Sequence, residues 1–232
     1  MLTQPGTQTA IRTEPYRALH RSALDGATAH NALAQAMQFM GAAMSFPRNT
    51  EIFGENEPAD YVYRVLSGSV RTYKILSDGR RQIGGFYLPG DIFGVEFTDD
   101  HAFSAEAITD TKIVVVKRSA LIALAGRDAT IAHELFALTG RELRRMRERM
   151  LLLVKSAQER VAGFLLEMAE RAGVGNIVEL PMSRQDIADY LGLTIETVSR
   201  TFTGLETAAA IAVPASRRIV LRNRSALRHL NG

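Results

Sequence analysis

The chain has 232 residues, 46% hydrophobic and 23% charged, with no cysteine and a formal net charge of only +3 at pH 7. That length and composition fit one large or two modest soluble domains with ample core, and so small a net charge excludes a general polycation. The absence of cysteine excludes disulfides, thiolate-held iron–sulfur clusters and thiol switches, and no apolar run is long enough to span a bilayer.

Residues 1–26 are polar, rich in Thr, Gln and Arg and without period, and read as a poorly ordered extension. They lack a basic-then-apolar secretory pattern, so a cytoplasmic location is expected. A helical pattern follows over 27–44, with Leu33, Met37 and Met40 on one side. The period then falls to two. Residues 52–53, 61–66, 69–75, 82–88, 105–108 and 111–116 are strand candidates, separated by turn signals at Ser67-Gly68, Ser77-Asp78-Gly79 and Leu88-Pro89-Gly90-Asp91. Short strands at this spacing predict an antiparallel barrel or jelly roll, not a βαβ sheet. The histidines His20, His30, His101, His133 and His229 have no metal-ligand spacing and read as isolated surface or packed residues. No nucleophile–base pair stands at useful spacing either, so the expectation is no cofactor, no metal and no catalysis.

A long helix is predicted from near residue 127 to past 155. Ala129, Ala132, Phe136, Thr139, Leu143, Met146, Met150, Leu153 and Ala157 alternate steps of three and four, the a/d seam of a coiled coil. Arg141, Glu142, Arg144, Arg145, Arg147, Glu148 and Arg149 charge the remaining faces. A long amphipathic helix lying on its own barrel would carry the same pattern, and the first half fits that. Over 143–153 the flanking arginines favour burial against a partner helix. Phe136, Leu143, Met146, Met150 and Leu153 are therefore the candidate homodimer contacts. A second helix is expected over 158–172, with Val161, Leu165, Met168 and Ala169 inward, ended by Gly173-Val174-Gly175-Asn176.

Residues 182–200 read as two short helices broken by Gly192. Ser183 with Asp186 three residues on makes a good helix start, and Thr194 caps the second helix. Ile187, Ala188 and Leu191, then Val198, Phe202 and Leu205, form the inward stripes. Glu196, Ser199 and Arg200 share the other face at i, i+3 and i+4. Glutamate accepts from cytosine N4 and arginine forks onto guanine O6 and N7, so the two can read both edges of one G·C pair. An ordinary αα-hairpin with a solvated polar face would show a similar pattern. Against it, no acidic residue follows Glu206, whereas Arg217, Arg218, Arg222, Arg224 and Arg228 do. β-rich runs at 211–213 and 219–221 flank Pro214-Ala215-Ser216-Arg217-Arg218, which reads as a hairpin wing with arginines at or near its tip. A charge run is often only a solvated face, but beside a helix-turn-helix phosphate contact is the better reading. Ser183, Thr194 and Thr197 join Arg217 and Arg218 as candidate phosphate contacts.

In this order of parts the chain resembles the CRP/FNR superfamily of bacterial transcription regulators, from about residue 30 to the end. Leu66-Ser67-Gly68, Leu88-Pro89-Gly90-Asp91, Phe93-Gly94 and Ala157-Gln158-Glu159-Arg160-Val161-Ala162 match its pattern. Glu196, Ser199 and Arg200 match the E-x-x-S-R recognition helix of its FNR and FixK side. The resemblance implies an α+β protein: an extension over 1–26, an antiparallel β-roll with a leading helix over 27–126, a coiled-coil dimerisation helix over 127–157 and a winged helix-turn-helix over 158–232. Cyclic-nucleotide binders of the family carry Phe-Gly-Glu and a phosphate-gripping arginine. Here Val95 follows Phe93-Gly94, and Phe103-Ser104-Ala105 fills the arginine position, so a buried cyclic phosphate would lack its cation.

What remains resembles the FixK-type branch, without an iron–sulfur cluster. That branch implies an activator that works without a small-molecule effector, at genes for micro-oxic respiration and nitrogen fixation. It also implies a homodimer on double-stranded DNA carrying a TTGAT–ATCAA palindrome. Ile195 would meet a thymine methyl there, Ser199 would help at a neighbouring T·A pair, and exposed residues such as Arg80-Arg81 would face RNA polymerase. Two alternatives stand beside this reading: a ligand-gated sensor of the same fold with an unidentified effector in the roll, and a nucleotide-binding regulatory module whose helical tail is structural.

Overall fold

A computed structural model describes residues 26–96 and 98–231. The expected extension therefore lies outside the described residues up to position 25. Helix α1 (Gly26–Met40) leads into β1 (Ala42–Phe46), β2 (Glu51–Phe53), β3 (Tyr61–Ser67), β4 (Val70–Ile75), β5 (Arg81–Tyr87), β6 (Ile92–Phe93), β7 (Ser104–Ala107) and β8 (Thr111–Lys117). They form two four-stranded antiparallel sheets, ordered β1-β8-β3-β6 and β2-β7-β4-β5. Alternation places Val62, Val65, Val70, Ile83, Phe86 and Ile113 inward, and an aromatic group of Phe53, Tyr63, Tyr87 and Phe93 packs between the sheets. His101 is a packed histidine. Its ring stacks on Phe53 at 3.6 Å, and burial pushes its pKa down against the pull of Glu96. Gly94 sits at φ +73°, where a Cβ would lie 2.6 Å from the Tyr63 ring; only glycine fits this close approach.

Residues 42–44, expected as the end of the first helix, form a strand instead. Their apolar run suits either period, but the open edge of β8 pairs with it from Ala42↔Val115 to Phe46↔Thr111. Gly41 makes the turn in a space that a Cβ would fill to within 2.3 Å of Val114.

After α2 (Arg118–Ala125), Asp128 caps α3 (Ala129–Leu151) by accepting from the Thr130 and Ile131 amides. Ile131, Glu134 and Leu138 are its buried positions, and Glu134 accepts from the Leu33 amide of α1 at 2.9 Å. The helix stops short of the expected position 155. A 3-10 turn (Leu152–Val154) follows, Lys155 is extended, and a Ser156–Glu159 capping box starts α4 (Ala157–Ala172). The seam therefore leaves the α-helix before Leu153.

The C-terminal part contains β9 (Ile177–Glu179), α5 (Arg184–Leu191), α6 (Ile195–Thr207), β10 (Ile211–Ala215), β11 (Arg218–Leu221) and α7 (Arg224–Asn231), with a small antiparallel sheet ordered β10-β11-β9. Its core of α4, α5 and α6 side chains runs on into Ile83, Phe86 and Leu88 of the roll. Phe86 lies 5.1 Å from Tyr190 and 6.2 Å from Phe164 between ring centroids. No helix among the described residues is long and apolar enough to cross a membrane.

Candidate DNA-reading surface

Two capped helices build the reader. The Ser183 hydroxyl accepts from the Asp186 amide, and Asp186 returns the bond to the Ser183 amide at 2.9 Å. Gly192 ends α5 at φ +65°, a left-handed position that glycine adopts without strain. Thr194 then caps α6, accepting from the Thr197 amide at 3.2 Å. Val198, Phe202 and Leu205 are buried, which turns Glu196, Ser199 and Arg200 together to the exposed side. Among the described residues, neither the Glu196 nor the Arg200 side chain makes a hydrogen bond or ion pair. Ile195 is partly exposed at the start of the same helix. Ser183, Thr194 and Thr197 already use their hydroxyls at the helix starts. The Arg184 guanidinium lies 3.4 Å over the Phe202 ring, fastening α5 to α6.

The wing follows as expected from the arginine-flanked turn. Ser216 and Arg217 form its tip between the paired Ala215 and Arg218. Pro214 is tolerated because β10 is an edge strand. Glu206, from the end of α6, accepts from the Val213 amide and sets the wing against the recognition helix. The two wing arginines differ. Arg218 lies 3.4 Å from Glu179, whereas Arg217 has no acidic partner among the described residues. Arg217→Ala is expected to weaken specific and random DNA alike and to reduce the salt slope by about one unit per protomer. Titrations at several salt concentrations check this, and a change in base preference would contradict a phosphate role.

Residues 159–230 match the Crp-like helix-turn-helix domain, and residues 43–128 the cyclic nucleotide-binding domain. The nitrogen fixation regulation protein FixK of Azorhizobium caulinodans is 53% identical over 204 residues, 85% of this chain and 82% of that protein. FixK of Rhizobium meliloti is 43% identical over 82% of this chain and 90% of its own length. The solved structure of FixK2 from Bradyrhizobium japonicum superposes with a TM-score of 0.80 at 52% identity, covering 83% of this chain and 98% of that one. The chain belongs to the FixK family. It is a DNA-binding transcription activator of the CRP/FNR superfamily.

In this FixK-type regulator the reader is bound to its own roll by polar contacts that sequence reasoning missed. Arg71 Nη1 reaches both carboxylate oxygens of Asp186, at 3.1 and 3.2 Å, and its Nη2 reaches Glu106 at 2.7 Å. Arg81 donates to Asp186 at 2.6 Å and to Asp189 at 2.8 Å, and Gln82 donates to the Asp189 carbonyl at 2.8 Å. Arg81, read as part of a polymerase-facing patch, is thus turned inward, and Arg80 remains exposed beside Asp78. Arg160, in the motif that opens the DNA-binding part, joins the Lys155 carbonyl of the elbow to the Leu191 carbonyl at the end of α5.

Asp186 titrates accordingly. Burial pushes its carboxyl up, but the Ser183 amide and hydroxyl and the two arginines outweigh this and hold it below its ordinary value. A depressed carboxyl stabilises the fold above its unfolded pKa, and that contribution disappears as pH falls through the folded value. Urea midpoints are therefore expected to fall progressively as pH drops below about 5, with a flatter profile in Asp186→Asn. Equal pH profiles in the two proteins would rule this carboxylate out as the cause.

Proposed function

We propose that this regulator works as a homodimer on a TTGAT–ATCAA palindrome, without a small-molecule effector, at genes of micro-oxic respiration and nitrogen fixation. The observation that carries the reading is the exposed face of Glu196, Ser199 and Arg200, whose side chains have no partner among the described residues, on a helix fixed from behind. Arg200 forks onto guanine, Glu196 accepts from the paired cytosine, Ser199 serves the neighbouring T·A pair and Ile195 packs on a thymine methyl.

Homodimerisation is supported by the outer side of α3 and the turn after it. Phe136, Met146, Met150 and Leu153 are 77, 62, 68 and 82% exposed in the single chain. So much apolar surface along one line fits a twofold pairing with the same stripe of a second copy. Such a pair places two recognition helices roughly 34 Å apart, in successive major grooves.

Effector independence is supported by what fills the roll. Phe103 lies against Gly84, where a Cβ would meet its ring at 2.9 Å, and Tyr87 packs beside Phe93. Phe103 stands where the resemblance puts the phosphate-gripping arginine of a cyclic-nucleotide binder, so a ring takes the place of that cation. The names of the FixK relatives support the gene class. Arg80 is the exposed residue left in the patch assigned to RNA polymerase.

Fluorescence anisotropy of the purified, effector-free chain on a TTGAT–N4–ATCAA duplex tests the reading, against a scrambled duplex at fixed salt. Tight, selective binding is the expected result. Binding to neither duplex, or to both alike, would remove the effector-free operator reading.

A further inference from the structure

We propose that Arg71 and Arg81 of the roll are positioning residues that set which half-site spacing the dimer accepts, an inference that rests on the dimeric operator reading above. The covalent link between dimer helix and reader is slight: a 3-10 turn, the extended Lys155 and the Ser156 cap. Such an elbow permits the reader to pivot. The apolar contacts of Phe86 with Phe164 and Tyr190 are non-directional, and the directional contacts of Arg171, to the Phe86 carbonyl at 2.6 Å and to Asp91 at 2.7 Å, tie α4 rather than α5 to the roll.

On α5 itself the direction comes from the two arginines, together with the Gln82 bond to the Asp189 carbonyl. Both converge on Asp186, whose side chain is 3% exposed, and Arg81 also takes Asp189, 12% exposed. Arg71 is anchored from behind by Glu106 on β7 of the same sheet. Planar guanidinium–carboxylate contacts fix angle as well as distance, and buried ion pairs are better evidence of a chosen register than of stability. Their target is α5, the helix that shares its core with α6 and meets it at Gly192. Holding α5 therefore holds the reading helix. The carboxylate that the roll grips is also the one that closes the Ser183 capping box, so the grip acts on an ordered helix start.

The spacing consequence follows from duplex geometry. One base pair more or less between half-sites moves the second one by roughly 3.4 Å and rotates it by roughly 35° about the duplex. A clamped pair of readers cannot follow that movement, whereas pivoting readers can. Two engaged heads exceed one by about 10²–10⁴ in affinity, an advantage lost when geometry forbids joint engagement.

The test uses the full chain and its Arg71→Gln and Arg81→Gln variants. Affinity is measured on TTGAT–N4–ATCAA, on duplexes with N3 and N5 spacers, and on a single half-site. Because the chain has no cysteine, Ser216→Cys at the exposed wing tip gives one spin label per protomer for distance measurement across the dimer. The parent is expected to show a narrow distance distribution and to prefer N4 by about 10²-fold. Both variants should broaden the distribution and lose at least about tenfold of that preference, with single half-site affinity little changed. Arg81→Gln is the milder change, since Arg81 is 25% exposed. Arg81→Lys, which keeps a charged donor, should recover part of the preference.

Unchanged distances with undiminished spacer preference in both variants refute the positioning role. So does an equal loss on the single half-site, which would make the arginines supports of the reader's own fold. If the parent does not prefer the palindrome over a scrambled duplex, the operator reading fails, and the label distances alone still decide the clamp.

Discussion

Arg200→Ala should cost about 1–3 kcal/mol at each half-site, and so about 2–6 kcal/mol for a symmetric dimer whose two heads act independently. The argument starts from the free protein. Arg200 is exposed and makes no hydrogen bond or ion pair among the described residues, so its removal breaks nothing in the fold. The loss appears only in the complex, where a bidentate contact to guanine O6 and N7 disappears. Thermal stability should stay within about 0.5 kcal/mol of the parent, as for surface substitutions away from special features. Base preference should relax at the G·C position while the rest of the half-site is still read. Glu196→Ala acts on the cytosine of the same pair and should fall short of additivity with Arg200→Ala, because the two side chains share one target. Titrations against operators carrying each base at that position check both statements. Undiminished affinity for the palindrome, or an intact guanine preference, would remove Arg200 from the reading set.

The exposed face of α6 was legible because its signals are local. Caps, the Gly192 turn and the 3.6-residue period all lie within a few residues of the side chains they orient. The strands of the roll showed in the same way, through alternation and turn residues. What failed was decided at long range. Ala42-Ala43-Met44 continues a helical stripe in sequence, yet the exposed edge of β8 takes it as a strand. Arg71 and Asp186 are 115 residues apart, and Arg81 and Asp189 are 108 apart, so no local pattern couples them. The charged faces of α3 illustrate the same limit. Arg144 and Arg147 are solvated, but Arg149 lies 5.0 Å over the Tyr190 ring, and Arg145 pairs with Glu142 where the helix faces the roll. Sequence separates apolar from charged residues well; it does not say which charged residues the rest of the molecule will use.

Met146→Glu combined with Met150→Glu should convert the dimer to a monomer without unfolding the chain. Both methionines are exposed in the single chain, and the buried positions of α3 are Ile131, Glu134 and Leu138 on its other side. The substitutions therefore leave the intrachain core intact, and glutamate is as good a helix former as methionine. Across a twofold axis each position lies near its own copy, so the change brings like charges together in a seam that must exclude water. Sedimentation at micromolar concentration should give the mass of one chain, with the far-ultraviolet spectrum unchanged. DNA binding reports the same event independently. A monomer engages one half-site at a time, so palindrome affinity should fall by about 10²–10⁴ towards that of a single half-site, while guanine preference within the half-site persists. Those two results distinguish this variant from Arg200→Ala, which keeps the dimer and loses the base. A doubly substituted chain that still sediments as a dimer with the parent's affinity would place the dimer contact elsewhere than on this stripe.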